Sequence, residues 1–278
     1  MIVRWQPTPG ALMRLFCFPY AGGGIAVFRG WDRMLPPEVE VCAVELPGRG
    51  RRMRERPYRR LAALVEEVTW LLEPYLDRPF ALFGHSMGAL IAFETVRALR
   101  RTGAPMPVRL LVSGAGVPQN WRRRRALHGL SDAALVEALR DLEGTPSGIL
   151  ASQELLDLLL PIVRADFELI ETHVYGPEPP LECPITAFGG VSDRFVGRAS
   201  LESWREQTTG EFVLRMLPGG HFFLGRQGVF LPTLCASLLP MVTHAAASVA
   251  AAPCGPWGDP SASRATGPGD EERRCNWT

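Results

Sequence analysis

Residues 80–90 read FALFGHSMGAL. An apolar run, a Gly-His-Ser-Met-Gly turn and a second apolar run predict a buried strand at 80–83 that turns sharply into a helix opening at Met87. A serine between two glycines at that junction is either part of a structural turn or a nucleophile raised on an elbow. In an elbow the serine backbone is strained, and side chains at 84 and 88 would collide across the turn. The helix N-terminus also favours negative charge beside the serine. The strand–turn–helix context makes Ser86 the candidate nucleophile.

The neighbouring segments supply the rest of a sheet. β-rich runs at 14–18, 40–45, 108–113, 184–188 and 212–217 join the one at 80–83, and helical apolar spacing occupies 61–76 and 87–101. Such alternation predicts an α/β fold, a mostly parallel sheet with helices on both faces. Between about 117 and 180 no strand pattern occurs. Ser131 is placed to cap a helix, Gly144-Thr-Pro-Ser-Gly interrupts, and 153–173 is a strongly apolar helical stretch. A helical insertion after a core strand either caps an active site or adds packing. From 245 the text is small, Pro/Gly-rich and non-periodic, the composition of a disordered tail. The expected organisation is one domain over 1–244, with the insertion at about 117–180, and a tail over 245–278.

Composition removes several function classes. The 278 residues are 46% hydrophobic and 21% charged, with formal net charge +1, so no global field draws the chain to nucleic acid or membrane. All 30 basic residues are arginine. A P-loop lysine, a Schiff base and a catalytic lysine are therefore impossible. The six cysteines are dispersed, and Cys17, Cys42 and Cys183 lie in or beside apolar runs, the pattern of buried thiols in a reducing compartment. The N-terminus shows no signal-peptide pattern, and the apolar stretch 229–252 is interrupted by Pro232, Pro240 and His244. The expected location is the cytoplasm.

A serine nucleophile needs a base and an acid, which follow an elbow in the order acid, then histidine. Of five histidines, His85 adjoins the serine and is expected to point away as packing support. His128 and His173 fall in the insertion, and His244 abuts the tail. His221, in LPGGHFFL after the last strand, occupies the expected place. For the acid, the residues after 108–113 read Ser113-Gly-Ala-Gly-Val, with no carboxylate. Asp193 stands in a loop after the 184–188 strand. Asp166 and Glu168 are alternatives within the insertion's long helix, and Asp193 fits better. Oxyanion donors are expected from the backbone N–H groups of Met87, directly after the serine, and of Ala21 in the loop FPYAGGG. A dinucleotide reading of that loop fails, because the G-x-G-x-x-G spacing is not met.

Taken together, FPYAGGG, ELPGRGRR, FGHSMGALIAFE and LPGGHFFL, with GGVSDRFV and LLLPIVRADFELIETH, resemble the free-standing type II thioesterases of polyketide and nonribosomal peptide synthesis over about residues 14–239. The resemblance implies an α/β-hydrolase fold with a helical lid. It implies Ser86, Asp193 and His221 as a triad, and the Ala21 and Met87 N–H groups as the oxyanion hole. It further implies hydrolysis of acyl groups from the phosphopantetheine thioester of acyl or peptidyl carrier proteins, clearing aberrant or stalled chains without metal or cofactor. Family members commonly carry proline after the aspartate, where this chain has Arg194. Thioesterase domains integrated into synthases often take the acid after the earlier strand. Its absence at Ser113-Gly-Ala and the early Met1 favour the free-standing type.

Two arginine clusters, 49–56 and 122–125, fit either a docking patch for an acidic carrier protein or a solvated surface. No nucleic-acid motif accompanies them. The competing functions are a carboxylesterase or lipase-like hydrolase using the same residues, and a non-enzymatic scaffold on an inactive hydrolase fold.

Overall fold

A computed structural model describes residues 1–119 and 126–250, with side chains to 247. Seven strands form one sheet: β1 (Ile2–Val3), β2 (Met13–Phe18), β3 (Val39–Val44), β4 (Phe80–His85), β5 (Arg109–Ser113), β6 (Ile185–Gly190) and β7 (Phe212–Leu217). Their order is β1-β3-β2-β4-β5-β6-β7, parallel except for β1, which runs antiparallel to β3. The six expected strands are all present within a residue or two of their predicted bounds. β1 is additional, since two residues give no periodicity to read.

β2, β3 and β4 are buried along their whole length, as a sheet covered on both faces requires. Alternation divides their side chains between two cores. Phe16, Phe18, Phe80 and Leu82 face α2 (Leu61–Leu72) and α3 (Met87–Thr102). Met13, Leu15, Ala81 and Phe83 face the opposite layer, which contains α1 (Trp31–Met34) and α8 (Gln227–Ala250). In α2 the buried Leu61, Leu64, Val65, Val68 and Leu72 recur at helical spacing. Each such burial contributes roughly 1.5–3 kcal/mol before chain entropy is counted. On the other face Phe28, Trp31 and Phe83 pack edge-on and Phe230 packs tilted against Trp31 and Phe83, with ring centroids 5.0–6.2 Å apart.

The insertion between β5 and β6 carries α4 (Asp132–Leu142), α5 (Ser147–Leu150) and α6 (Gln153–Glu171). Ser131 caps α4 as expected, accepting from the Ala134 N–H at 3.4 Å. Leu135, Val136, Leu139, Leu156, Leu160 and Val163 give the insertion its own small core. A short helix α7 (Arg198–Glu202) separates β6 from β7. α8 is long and apolar enough to cross a membrane over Gln227–Ala247, yet its Phe230, Leu231, Leu234, Leu238 and Val242 pack into the core beneath the sheet. The helix runs six residues into the stretch expected to be tail, and residues 251–278 lie outside the described residues.

Buried thiols are found at Cys17, Cys42 and Cys183. Burial pushes Cys42 and Cys183 up to about 12, which keeps them protonated and unreactive near neutral pH.

The chain proceeds from β2 outward to β3 and returns to place β4 on the other side of β2. That reversal opens a crevice between the C-terminal ends of β2 and β4, where open α/β sheets bind ligands. The loop after β2 and the turn holding Ser86 flank it.

Candidate active site

Ser86 links β4 to α3 with φ 54° and ψ −117°, one of two non-glycine residues at positive φ among those described. Such a backbone costs about 1–3 kcal/mol and persists only where its surroundings enforce it. Here the Ser86 N–H donates to the Ser113 carbonyl at 2.8 Å, and its own carbonyl accepts from the Ala89 N–H at 3.0 Å. A Cβ at Gly84 would stand 2.0 Å from the Gly88 carbonyl oxygen, and one at Gly88 would stand 2.1 Å from that of Phe18. The two glycines thus permit the elbow and let its helix seat against the loop after β2. Gly84→Ala should destabilise the protein by about 3 kcal/mol or more, at the upper end of overpacking costs, read by urea unfolding. A loss below about 1 kcal/mol would contradict this close approach.

Asp193 and His221 arrive on loops at the ends of β6 and β7. These loops touch: the Val191 N–H donates to the Leu217 carbonyl at 2.8 Å, and the Ser192 N–H to that of Gly219 at 2.9 Å. The approach needs glycine at 190, where a Cβ would be 2.3 Å from the Gly220 carbonyl oxygen. Asp193 Oδ2 lies 2.8 Å from His221 Nδ1, while Oδ1 accepts from the Phe195 and Val196 N–H groups at 2.8 and 3.1 Å. Burial alone would raise the Asp193 pKa. The His221 hydrogen bond and charge, with the two backbone donors, outweigh it and hold the carboxyl below its ordinary value.

Ser86, His221 and Ala21 line one cavity of about 160 Å³, walled by apolar side chains that include Leu139, Leu142, Phe167, Ile170 and Phe222. Several of these come from the insertion, which covers the C-terminal ends of the strands. Met87 opens α3 and is fully buried. All five residues singled out in the sequence therefore belong to this crevice: Ser86, His221 and Ala21 line the cavity, Asp193 is bonded to His221, and Met87 follows Ser86. Among the described residues no cluster of three or more His, Cys, Asp or Glu is placed to hold a metal ion.

Residues 13–238 match the thioesterase domain family. The chain belongs to that family. It is 47% identical over 222 residues to the gramicidin S biosynthesis protein GrsT of Aneurinibacillus migulanus, covering 80% of this chain and 87% of that one. It is 38% identical over 227 residues to thioesterase PikA5 of Streptomyces venezuelae, covering 81% and 80%. Among solved structures, the RedJ thioesterase of the prodiginine pathway in Streptomyces coelicolor superposes with a TM-score of 0.79 at 46% identity, covering 83% of this chain and 92% of that one. The type II thioesterase BorB of the borrelidin cluster gives 0.78 at 36%, covering 85% and 97%. This thioesterase is thus a hydrolase acting on thioesters, of the type II class found in polyketide and nonribosomal peptide pathways, and its sheet is that of the α/β-hydrolase fold.

Three features of the thioesterase differ from the sequence-based expectations or extend them. His85 gives the packing support expected of it, against Tyr20, Phe222 and Phe223, but its ring lies beside His221 rather than away from the site. Its buried ring lies 5.1 Å from that of His221, and its Nδ1 is 2.9 Å from Ser113 Oγ. Burial, and then the proximity of His221, push its pKa well down, so it adds no second positive charge beneath His221. The ring also fills the space beyond β5, where a Cβ at Gly114 would meet it at 2.6 Å. Second, Arg49 is neither solvated nor available for docking. It is buried and makes a two-pronged ion pair with Asp166, at 2.8 and 2.7 Å. Of the same cluster, Arg52 pairs with Glu55 and Glu67, whereas Arg51, Arg54 and Arg56 are exposed. The second cluster, 122–125, lies outside the described residues. Third, Asp166 falls in the buried stripe of α6 with Leu160, Val163 and Leu169. A carboxylate within an apolar stripe calls for a buried cation, and that signal marks Asp166 though not which arginine meets it.

Proposed function

We propose that this thioesterase hydrolyses acyl groups from the phosphopantetheine thioester of acyl or peptidyl carrier proteins in the cytoplasm, removing aberrant or stalled intermediates of polyketide or nonribosomal peptide synthesis. The observation that carries the reading is a strained serine sharing one cavity with a histidine whose other nitrogen is held by a buried carboxylate. Ser86 Oγ attacks the thioester carbonyl and His221 Nε2 takes its proton. Asp193 holds the tautomer that leaves Nε2 able to accept, and stabilises the imidazolium that forms. The oxyanion is received by the N–H groups of Ala21 and Met87, aided by the α3 N-terminus. The C–S bond breaks, the thiolate takes the proton from His221, and an acyl-serine remains. Water, deprotonated by His221, then releases the acid and restores Ser86. No step calls for a cofactor or metal, and neither nucleic acid nor membrane takes part. The insertion acts as a lid supplying much of the acyl pocket.

A small-molecule carboxylesterase would use the same residues, so the leaving group decides between the two. We expect kcat/KM for a butyryl-carrier protein to exceed that for nitrophenyl butyrate by at least about tenfold, despite the better leaving group of the oxyester. A clear preference for nitrophenyl butyrate would favour the esterase reading.

A further inference from the structure

The loop offering Ala21 is gripped from both sides. The Gly23 N–H donates to the Tyr20 carbonyl at 2.9 Å, which pins the far end of the peptide unit bearing the Ala21 N–H. The next N–H, that of Gly22, donates to Asp166 Oδ2 at 2.8 Å. Arg49 Nη1 donates to the same carboxylate oxygen and to the Gly23 carbonyl, each at 2.8 Å, and Nη2 donates to Oδ1 at 2.7 Å. The Arg49 and Asp166 side chains are 9% and 4% exposed. One turn before Asp166, Val163 lies over the loop, its Cγ2 only 2.8 Å from where a Cβ on Gly22 would stand.

A buried ion pair contributes little net stability against an apolar pair of similar volume. This one makes two of its bonds to the backbone of the loop, at residues 22 and 23. We infer that Asp166, with Arg49 as the cation that lets it be buried, is a positioning residue for the oxyanion donor, and that seating α6 on the loop holds the Ala21 N–H toward the reacting carbonyl. The inference rests on the reading of Ser86 as nucleophile and Ala21 as donor. It makes the insertion part of the catalytic geometry as well as a wall of the acyl pocket: lifting α6 at Asp166 takes away the acceptor of the Gly22 N–H.

The test compares R49M/D166L with R49M/D166N, both without a buried charge, using butyryl-N-acetylcysteamine as substrate. Leucine removes the acceptor for Gly22, and asparagine keeps one in its side-chain carbonyl. Losing an oxyanion donor costs about 10²–10³ in kcat, so a misplaced one should cost about 10–100-fold in R49M/D166L, with KM within about threefold of wild type. R49M/D166N should recover most of that loss. Rates are expressed per folded molecule by circular dichroism, below the melting temperature of each variant. Equal kcat in the two variants, whether both near wild type or both equally reduced, overturns the inference. S86A is run alongside: if it keeps wild-type activity, the underlying nucleophile assignment fails, independently of the clamp.

Discussion

Ser86→Ala should lower kcat for acyl thioesters by on the order of 10⁵–10⁶-fold while leaving KM within a few fold, because nucleophile and base act as a unit. The loss is expected to be chemical. The two hydrogen bonds of Ser86 that shape the elbow come from its backbone, to Ser113 and Ala89, and alanine keeps both. Alanine also needs no more room than serine, so the melting temperature should stay within a few degrees of wild type. A variant that folds and retains more than about a hundredth of wild-type kcat would exclude Ser86 as the nucleophile.

Asp193→Asn should cost about 10⁴ in kcat. An asparagine amide can donate to His221 Nδ1, which moves the ring proton to Nε2, the atom that must accept from Ser86. Its carbonyl can still accept from the Phe195 and Val196 N–H groups, so the loop is expected to persist. The same substitution should leave a mark on stability against pH. The folded carboxyl is held below its ordinary value, so its stabilising contribution is complete above the unfolded value of about 3.9 and fades as pH falls through the lower folded value. Melting temperatures of wild type and variant should therefore converge below about pH 4. A gap that stays constant down to pH 3 would contradict the shift.

Much of this protein was legible in its sequence because local chemistry and global fold agree. FALFGHSMGAL combines a strand of alternating core contacts, two sterically required glycines and a helix with an almost wholly buried length. The loops bearing Asp193 and His221 could be placed because each directly follows a recognisable strand. What was missed depends on contacts distant in sequence. Nothing in PGRGRR distinguishes Arg49 from its neighbours until Asp166, 117 residues later, faces it. His85 does serve as packing support, but the place of its ring beside His221 depends on equally distant contacts. Adjacency to Ser86 says where its backbone goes, whereas the ring is placed by the room that Gly114 leaves and by the hydrogen bond to Ser113. Ile2 and Val3 favour extended backbone, but two residues show no period, and β1 is recognised only by its pairing with β3.

If acyl groups leave a carrier thioester through an ester on Ser86, that ester can be trapped. Butyryl-carrier protein is mixed with enzyme, quenched in acid within the first turnover, and the digested enzyme analysed by mass spectrometry. A butyryl increment is expected on the peptide containing Ser86, with free carrier thiol in equal amount, and neither with Ser86→Ala. Thiol release with the increment on another residue, or undiminished release by the variant, would contradict a route through Ser86.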